Sequence, residues 1–185
     1  MRPKHTIRIV FWVNEENGDA GGRAYRDMVG PEGVKQHVAA IEMDGGSERP
    51  LGIAYGGFGL RPKVPGSASA PFQLDDLSEA QQKSFRIMPQ IAALLQPISV
   101  DRVFPDGGGS DIEPITEEGV PTLSPQTVAE HYFDWHHTEA DTLDKVDVQE
   151  FRHNIALLAI TSYVLADSDA RLTSEKRAEE YSAHR

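Results

Sequence analysis

The chain has 185 residues, of which 39% are hydrophobic, enough for one compact domain with a core. Its formal net charge of −11 argues against a nucleic-acid partner, because a phosphate-binding surface needs many Lys and Arg side chains. No stretch approaches the roughly 20 apolar residues of a membrane helix. Cysteine is absent, so any metal would have to be held by His, Asp and Glu.

The first half of the chain predicts strands alternating with short helices. Residues 7–13 (IRIVFWV) form a nearly continuous apolar run, typical of a central strand covered on both faces. A short helix is predicted around 23–28, a second strand at 37–43 and a weaker third strand at 51–55. Residues 62–72 are rich in Pro, Ser and Ala and predict a loop.

The next part of the chain continues this alternation. A capping-box pattern at Ser78 predicts a helix that continues to about Leu95, and a short strand follows at 102–104. After a run of three glycines, Ser110 and Asp111 are candidate caps of a further helix that ends before a glycine at 119.

The last predicted element is a long helix that begins at a capping pair, Asp147 and Glu150. Its predicted buried face consists of Phe151, Ile155, Leu158, Ser162 and Leu165. Together the elements predict an α/β fold, a three-layer αβα sandwich with a mostly parallel, mixed sheet.

Acidic side chains follow two of the predicted strands. Glu15 and Glu16 come after the first, and Asp44 follows the second. Ligands of open α/β sheets gather beyond the carboxyl ends of strands, where one carboxylate could bind a metal and its neighbour accept a proton. The spacing alone favours the simpler interpretation, a solvated pair at a strand end and an ordinary turn aspartate.

The segment at 131–142 (HYFDWHHTEADT) is the second candidate region. It could be an aromatic-rich loop with packed or exposed histidines. Adjacent His136 and His137, followed by Thr138 and Asp141, are more typical of a site, because imidazole is the commonest nitrogen ligand of zinc.

The candidate residues lie in four longer motifs, which are FWVNEENG at 11–18, HVAAIEMD at 37–44, GGGSDIEPITEEGVP at 107–121 and YFDWHHTEADTLDKVD at 132–147. In this order the motifs resemble the di-zinc exopeptidase family of bacterial leucyl aminopeptidases and plasma glutamate carboxypeptidase (carboxypeptidase Q). Each motif alone is weakly specific, but their joint occurrence is specific, and the resemblance extends over about residues 6–167.

The resemblance implies a role for each matching residue. Glu15 would be the general base that deprotonates a zinc-activated water, and Glu16 would be a ligand of the first zinc. Asp44 would bind the second zinc. The histidine before Thr is His137, which would be the other ligand of the first zinc, with His136 as the alternative.

Three further residues match the family motifs less decisively. Ser110, Asp111 and Asp141 would shape the pocket or support the ligands, although capping alone would explain the first two equally well. In the family, a histidine and a metal-bridging aspartate precede the first strand. Only His5 precedes it here, so the ligand set is incomplete.

The resemblance therefore predicts a zinc metallopeptidase of aminopeptidase or dipeptidase type, acting on a peptide or dipeptide. Residues 1–167 would be the C-terminal portion of its domain, incomplete and inactive alone, and residues 168–185 a polar tail prone to disorder. The alternative is a non-catalytic binding domain that kept the fold. A periplasmic or secreted location is implied by resemblance only, and a homo-oligomer is compatible with the sequence.

Overall fold

A computed structural model describes residues 2–56, 79–105 and 107–172 of the chain. The predicted loop at 62–72 and the capping residue Ser78 lie outside these residues. Among the described helices, none is both long and apolar enough to cross a membrane. The elements are α1 (Ala20–Val34), β1 (Ala40–Ile41), β2 (Pro50–Gly56), α2 (Glu79–Ala92) with a 3-10 turn (Ala93–Ile98), β3 (Arg102–Pro105), α3 (Glu113–Thr116), β4 (Thr122–Thr127), α4 (Tyr132–Trp135), a 3-10 turn (Leu143–Lys145) and α5 (Val148–Asp167).

The four described strands form one mixed sheet in the order β1-β4-β2-β3. The pairs β1–β4 and β2–β3 are parallel, and β2–β4 is antiparallel. Neighbouring residues of β1 pack into different apolar clusters, Ile41 with α2 and α5 and Ala40 with α1 and α3. Because adjacent residues of a strand point to opposite faces, helices cover both faces of the sheet. The predicted α/β fold with a mixed sheet is confirmed.

Strand β2 is the centre of the core. Its residues Ile53, Ala54 and Tyr55 are at most 1% exposed. A Cβ at Gly52 would clash with the carbonyl of Arg102 in β3, so only glycine permits this approach of the two strands. The weak third strand of the sequence prediction is therefore the most buried one.

Strand β4 was not predicted, because Pro125 lies within it. Proline lacks an N–H group and is tolerated where a strand edge needs no donor. Pro125 is opposite Ile53 of β2, and the described pairing of β4 with β1 involves Thr122 and Leu123, so no described strand pairs with the other edge of β4 at the proline.

The predicted central strand at 7–13 is wrong. Within this segment the only backbone–backbone hydrogen bond is the one that Val13 O accepts from Gly21 N, so no described strand pairs with it. Alternate side chains point into solvent, with Ile9 79% and Phe11 91% exposed, while Trp12 packs against α1. The apolar pattern is that of a strand, but no described neighbour supplies the pairing.

The face that α5 buries also differs from the prediction. Asp147 caps the helix as predicted, since its side chain accepts hydrogen bonds from Gln149 N and Glu150 N. However, Phe151 and Ile155 are 40% and 49% exposed. The buried residues are Asn154, Leu157, Thr161, Leu165 and Ala166. Of the predicted face only Leu165 is among them, because the buried face also includes the polar side chains of Asn154 and Thr161.

Ser110 and Asp111 do not cap a helix. The short helix α3 has Ile112 at its N-cap position, and no side chain caps it. Asp111 instead lies buried, at 8% exposure, so its carboxylate is directed into the fold rather than toward free N–H groups of the helix.

The buried face of α5 yields a direct test. Replacing the fully buried Leu157 by alanine should lower the free energy of unfolding by about 2–5 kcal/mol, because it leaves a cavity in the core. Ile155→Ala is the matched control two residues away, and it should cost less than about 1 kcal/mol. Urea denaturation of both variants measures the difference, and equal losses would contradict the observed orientation of the helix.

Candidate active site

A tight turn presents the two adjacent glutamates. The carbonyl of Glu15 accepts a hydrogen bond from Gly18 N at 2.9 Å, and Gly21 N donates to Val13 O at 3.2 Å. A Cβ at Gly21 would lie 2.6 Å from Val13 O, so the return of the chain requires glycine there. The turn leaves Glu15 half-buried and Glu16 exposed.

His137 lies against Glu16, although 121 residues separate them in sequence. Its Nε2 is 2.9 Å from Glu16 Oε1, and the two side chains are 60% and 68% exposed. The backbone of His137 has φ of +58°, the left-handed region that residues with a Cβ seldom adopt. Directly after it, Thr138 closes the turn by donating from Oγ1 to Trp135 O at 2.7 Å.

The neighbouring His136 has a different environment. Its ring stacks between two others, with centroid distances of 4.6 Å to Tyr132 and 3.9 Å to His137. Only the His137 ring reaches Glu16 within hydrogen-bond distance among the described residues. The assignment of His137 as ligand and His136 as its neighbour remains a prediction, but this arrangement is compatible with it.

Asp44 lies in the exposed loop that follows β1, close enough to act electrostatically on the same region. Burial raises the pKa of the Tyr132 hydroxyl, and the charges of Asp44, Glu16 and Asp141 raise it further, with a smaller effect from Glu15. At neutral pH this hydroxyl therefore stays protonated and available as a donor.

Ser110 and Asp141 are peripheral in this arrangement. Both side chains are exposed. Ser110 contributes its carbonyl to a hydrogen bond from Glu113 N, and Asp141 donates its N–H to Thr138 O. Their predicted pocket roles are not supported by any direct contact with Glu16 or His137 among the described residues.

Glu42 forms a buried carboxylate pair with the predicted pocket residue Asp111, and Glu42 itself was missed by the sequence prediction. Glu42 is 5% exposed and accepts a hydrogen bond on Oε2 from Ile112 N at 2.9 Å. A Cβ at Gly109 would clash with its carboxylate. The signal was a single acidic residue within the apolar motif HVAAIEMD, two residues before Asp44.

The pKa values of this pair reflect its surroundings. Burial raises the pKa of Glu42 to about 7, and the nearby charges of Asp111 and Asp44 contribute to the increase. Burial also raises the pKa of Asp111, followed by the charge of Glu15. Among the described residues, Glu42 Oε1 and Asp111 Oδ1 are buried without a hydrogen-bond partner. The ionised pair is therefore costly in this environment.

The donors near Glu16 match zinc in chemistry but not in number. Two atoms that bind one zinc at roughly 2 Å each can be no more than about 4 Å apart, and the Glu16–His137 distance satisfies this limit. Within residues 2–56, 79–105 and 107–172, no three His, Asp or Glu side chains converge on one point that could hold a metal. The described chain thus offers a two-donor pair with Asp44 in the neighbouring loop.

The sequence of the chain is similar to those of known proteins. The model of Peptidase family M28 matches residues 1–161. Carboxypeptidase Q of Mus musculus is 30% identical over 172 residues, which cover 93% of this chain and 32% of the relative. Carboxypeptidase Q of Homo sapiens is 28% identical over the same share of this chain and 31% of its own length. The chain thus spans about a third of the length of these relatives.

Two solved structures are similar in fold. The Peptidase M28 precursor from Shewanella amazonensis SB2B superposes with a TM-score of 0.71 at 27% identity, covering 93% of this chain and 34% of that structure. An aminopeptidase from Aneurinibacillus sp. strain AM-1 gives a TM-score of 0.51 at 20% identity, covering 87% and 33%. The second similarity concerns the fold alone.

The raised pKa of Glu42 predicts a pH-dependent stability. A carboxyl group whose pKa is higher in the folded than in the unfolded state favours folding while protonated, and this contribution is lost as pH rises through the folded pKa. Without metal, in EDTA, stability should therefore fall between about pH 4.5 and pH 7. Glu42→Gln keeps an acceptor for Ile112 N and should be more stable than the wild type at pH 8 by up to about 3 kcal/mol.

Urea denaturation at pH 5 and pH 8 measures this difference. Glu117→Gln, which changes an exposed glutamate, is the control and should follow the wild type. A Glu42→Gln variant with the wild-type pH dependence would show that Glu42 does not titrate in this range.

Proposed function

Because the chain belongs to peptidase family M28, we propose that it supplies the general base and several zinc ligands of a metallopeptidase active site. The observation that carries the proposal is the contact of Glu16 Oε1 with His137 Nε2 at 2.9 Å. Such a contact between exposed groups from distant parts of the chain is difficult to explain as packing. Ion pairs of this exposure stabilise a fold by less than about 1 kcal/mol.

The three proposed ligands would bind two different zinc ions. Glu16 and His137 would bind one zinc ion, and Asp44, from the loop after β1, would bind the second. Structural and catalytic zinc sites usually need at least three protein ligands each. Further donors must therefore come from outside the described residues, which agrees with a chain that spans about a third of its relatives.

Glu15 is proposed as the general base. Bound zinc would supply Lewis acidity and make a water molecule easier to deprotonate. Glu15, beside the ligand Glu16 in the same turn, would take the proton from this water as it attacks the scissile carbonyl carbon. It would then return the proton to the departing amine nitrogen. Adjacent carboxylates in one turn can separate these two roles, one toward metal and one toward substrate.

The substrate class that we propose is a short peptide with a free terminus, cleaved by an aminopeptidase or dipeptidase reaction. The carboxylates around Tyr132 create a negative potential that would favour a peptide ammonium group. The curated relatives of the chain are named carboxypeptidase Q, which supports a peptide as the substrate. A periplasmic or secreted location belongs to the same proposal.

A non-catalytic domain is the second candidate. It is favoured by the absence of three converging metal-binding side chains among the described residues. In that case the Glu16–His137 pair would be a surface contact without a metal, and zinc would not bind in a manner that depends on either side chain.

Zinc titration by calorimetry distinguishes the two candidates. We expect the 185-residue chain to bind zinc weakly, since only two donors are in contact, and His137→Ala should weaken this binding by at least about tenfold. His136→Ala, the matched control, should retain most of the affinity. Binding that is equal in all three proteins, or lost only in His136→Ala, would contradict the assignment of His137.

The role of Glu15 is tested in a longer polypeptide that hydrolyses an aminoacyl anilide or a dipeptide. Glu15→Gln should retain bound zinc but reduce kcat by about 10²–10⁴-fold, because the amide cannot accept the proton. Metal analysis of the same sample serves as the control. Loss of zinc together with activity would instead make Glu15 a ligand.

A further inference from the structure

The loop that carries Asp44 and the segment that carries His137 are in direct contact. We define the Asp44 loop as residues 44–48 and the histidine segment as residues 131–137. Gly46, with φ of +81°, faces the ring of Tyr132, and a Cβ at this position would lie 3.3 Å from the ring. The two candidate ligand regions are therefore packed against each other, not merely near in space.

One side chain joins them by a hydrogen bond. The Oε1 atom of Glu48, at the end of the Asp44 loop, accepts a bond from His131 N at 2.9 Å. This N–H belongs to the residue that precedes α4. The side chain of His131 is held separately, with Nδ1 2.8 Å from Asp134 and its ring stacked on Trp135 at 5.4 Å.

The Asp44 loop is itself fixed to the core by α5. Asn154 is fully buried, and its Nδ2 donates to Glu48 O at 2.9 Å and to Ser47 O at 3.2 Å. Thr127 adds a hydrogen bond from its hydroxyl to Gly45 O at 3.3 Å. The backbone of Glu48 is thus anchored, and its carboxylate acts from a rigid base.

The short helix α4 and a stack of rings lie between His131 and His137. The rings of Tyr132, His136 and His137 form a continuous stack with centroid distances of 4.6 Å and 3.9 Å. At the far end of the stack, His137 contacts Glu16. The stack therefore connects the start of the segment to the ring that reaches Glu16.

We propose that Glu48 is a positioning residue that holds the histidine segment against the Asp44 loop and thereby sets His137 beside Glu16. In the part of the chain that the structure describes, the Glu48 carboxylate accepts its hydrogen bond from His131 N, and no hydrogen bond joins it to Glu16, Asp44 or His137. Its consequence for zinc rests on the proposed function, whereas its effect on the position of the histidine segment does not. The proposal therefore has two separate readouts.

The first readout needs no metal. The chain contains two tryptophans, Trp135 in the histidine segment and Trp12 against α1. After labelling with 5-fluorotryptophan, Glu48→Ala should shift and broaden the ¹⁹F resonance of Trp135 and leave that of Trp12 unchanged. Glu48→Gln, which keeps an acceptor for His131 N, should preserve the wild-type spectrum.

The second readout is zinc affinity measured by calorimetry. Glu48→Ala should weaken zinc binding by about tenfold while the urea midpoint stays near that of the wild type, and Glu48→Gln should restore the affinity. Glu130→Ala is the matched control, because it removes a neighbouring exposed charge without removing the hydrogen bond to His131.

The outcomes separate the two proposals. An unchanged Trp135 resonance in Glu48→Ala, or the same change in Glu130→Ala, overturns the positioning role. A shifted Trp135 resonance that Glu48→Gln reverses supports it. If this shift occurs and the wild type shows no zinc binding that depends on His137, Glu48 still positions the segment, and it is the zinc assignment that fails.

Discussion

The close approach of β2 to its neighbours is the constraint on which the rest of the structure depends. Gly52 lets β2 approach β3, and Gly56 does the same for the glycine run that follows β3. Thr122 Oγ1 lies 2.9 Å from both Gly56 O and Gly107 O, so its single hydroxyl hydrogen is shared between these carbonyls and β4 is held at the same point. The candidate site lies outside these strands. Glu15 and Glu16 are in the turn before α1, Asp44 is in the loop after β1, and His137 follows α4.

The candidate site has an excess of negative charge. Glu42 and Asp111 are the clearest example. Both carboxylates are buried, and the charge of Asp111 raises the pKa of Glu42. Bound divalent cations would offset the repulsion, since they are the largest local charges in such sites. The acidic side chains of the region are thus compatible with the metal chemistry proposed for the family. Without a cation, their mutual repulsion destabilises the fold.

The fold class and several elements were predicted from the sequence, but the pairing of the strands and the buried face of α5 were not. The apolar run at 7–13 has the composition of a central strand, yet composition carries no information about whether a neighbouring strand is present. The buried face of α5 was misjudged because Asn154 is buried for its hydrogen bonds rather than its hydrophobicity. Strand β4 was not predicted. Whether a proline is compatible with a strand depends on which edge of the strand is paired, and the sequence does not give this pairing.

The residues of the candidate site were also predicted only in part. Spacing alone favoured a solvated pair for Glu15 and Glu16, and only the resemblance of four ordered motifs assigned them roles. The contact between Glu16 and His137 was expected from that resemblance, because no local pattern relates residues so far apart. Glu42 lies within the motif HVAAIEMD but received no role from it, and Glu48 lies outside the four motifs. Their importance depends on burial and on N–H groups contributed by distant segments, which a sequence pattern does not encode.

The exposed segment at 7–13 has a practical consequence for work with this chain. Among the described residues its backbone makes a single backbone–backbone hydrogen bond, at Val13 O, so an incoming strand could pair with its other N–H and C=O groups. Its outward side chains, among them Ile9 and Phe11, would add an apolar contact to that pairing. Protein concentration is therefore an experimental variable for this molecule, and light scattering across a dilution series belongs beside every titration or spectrum recorded on it.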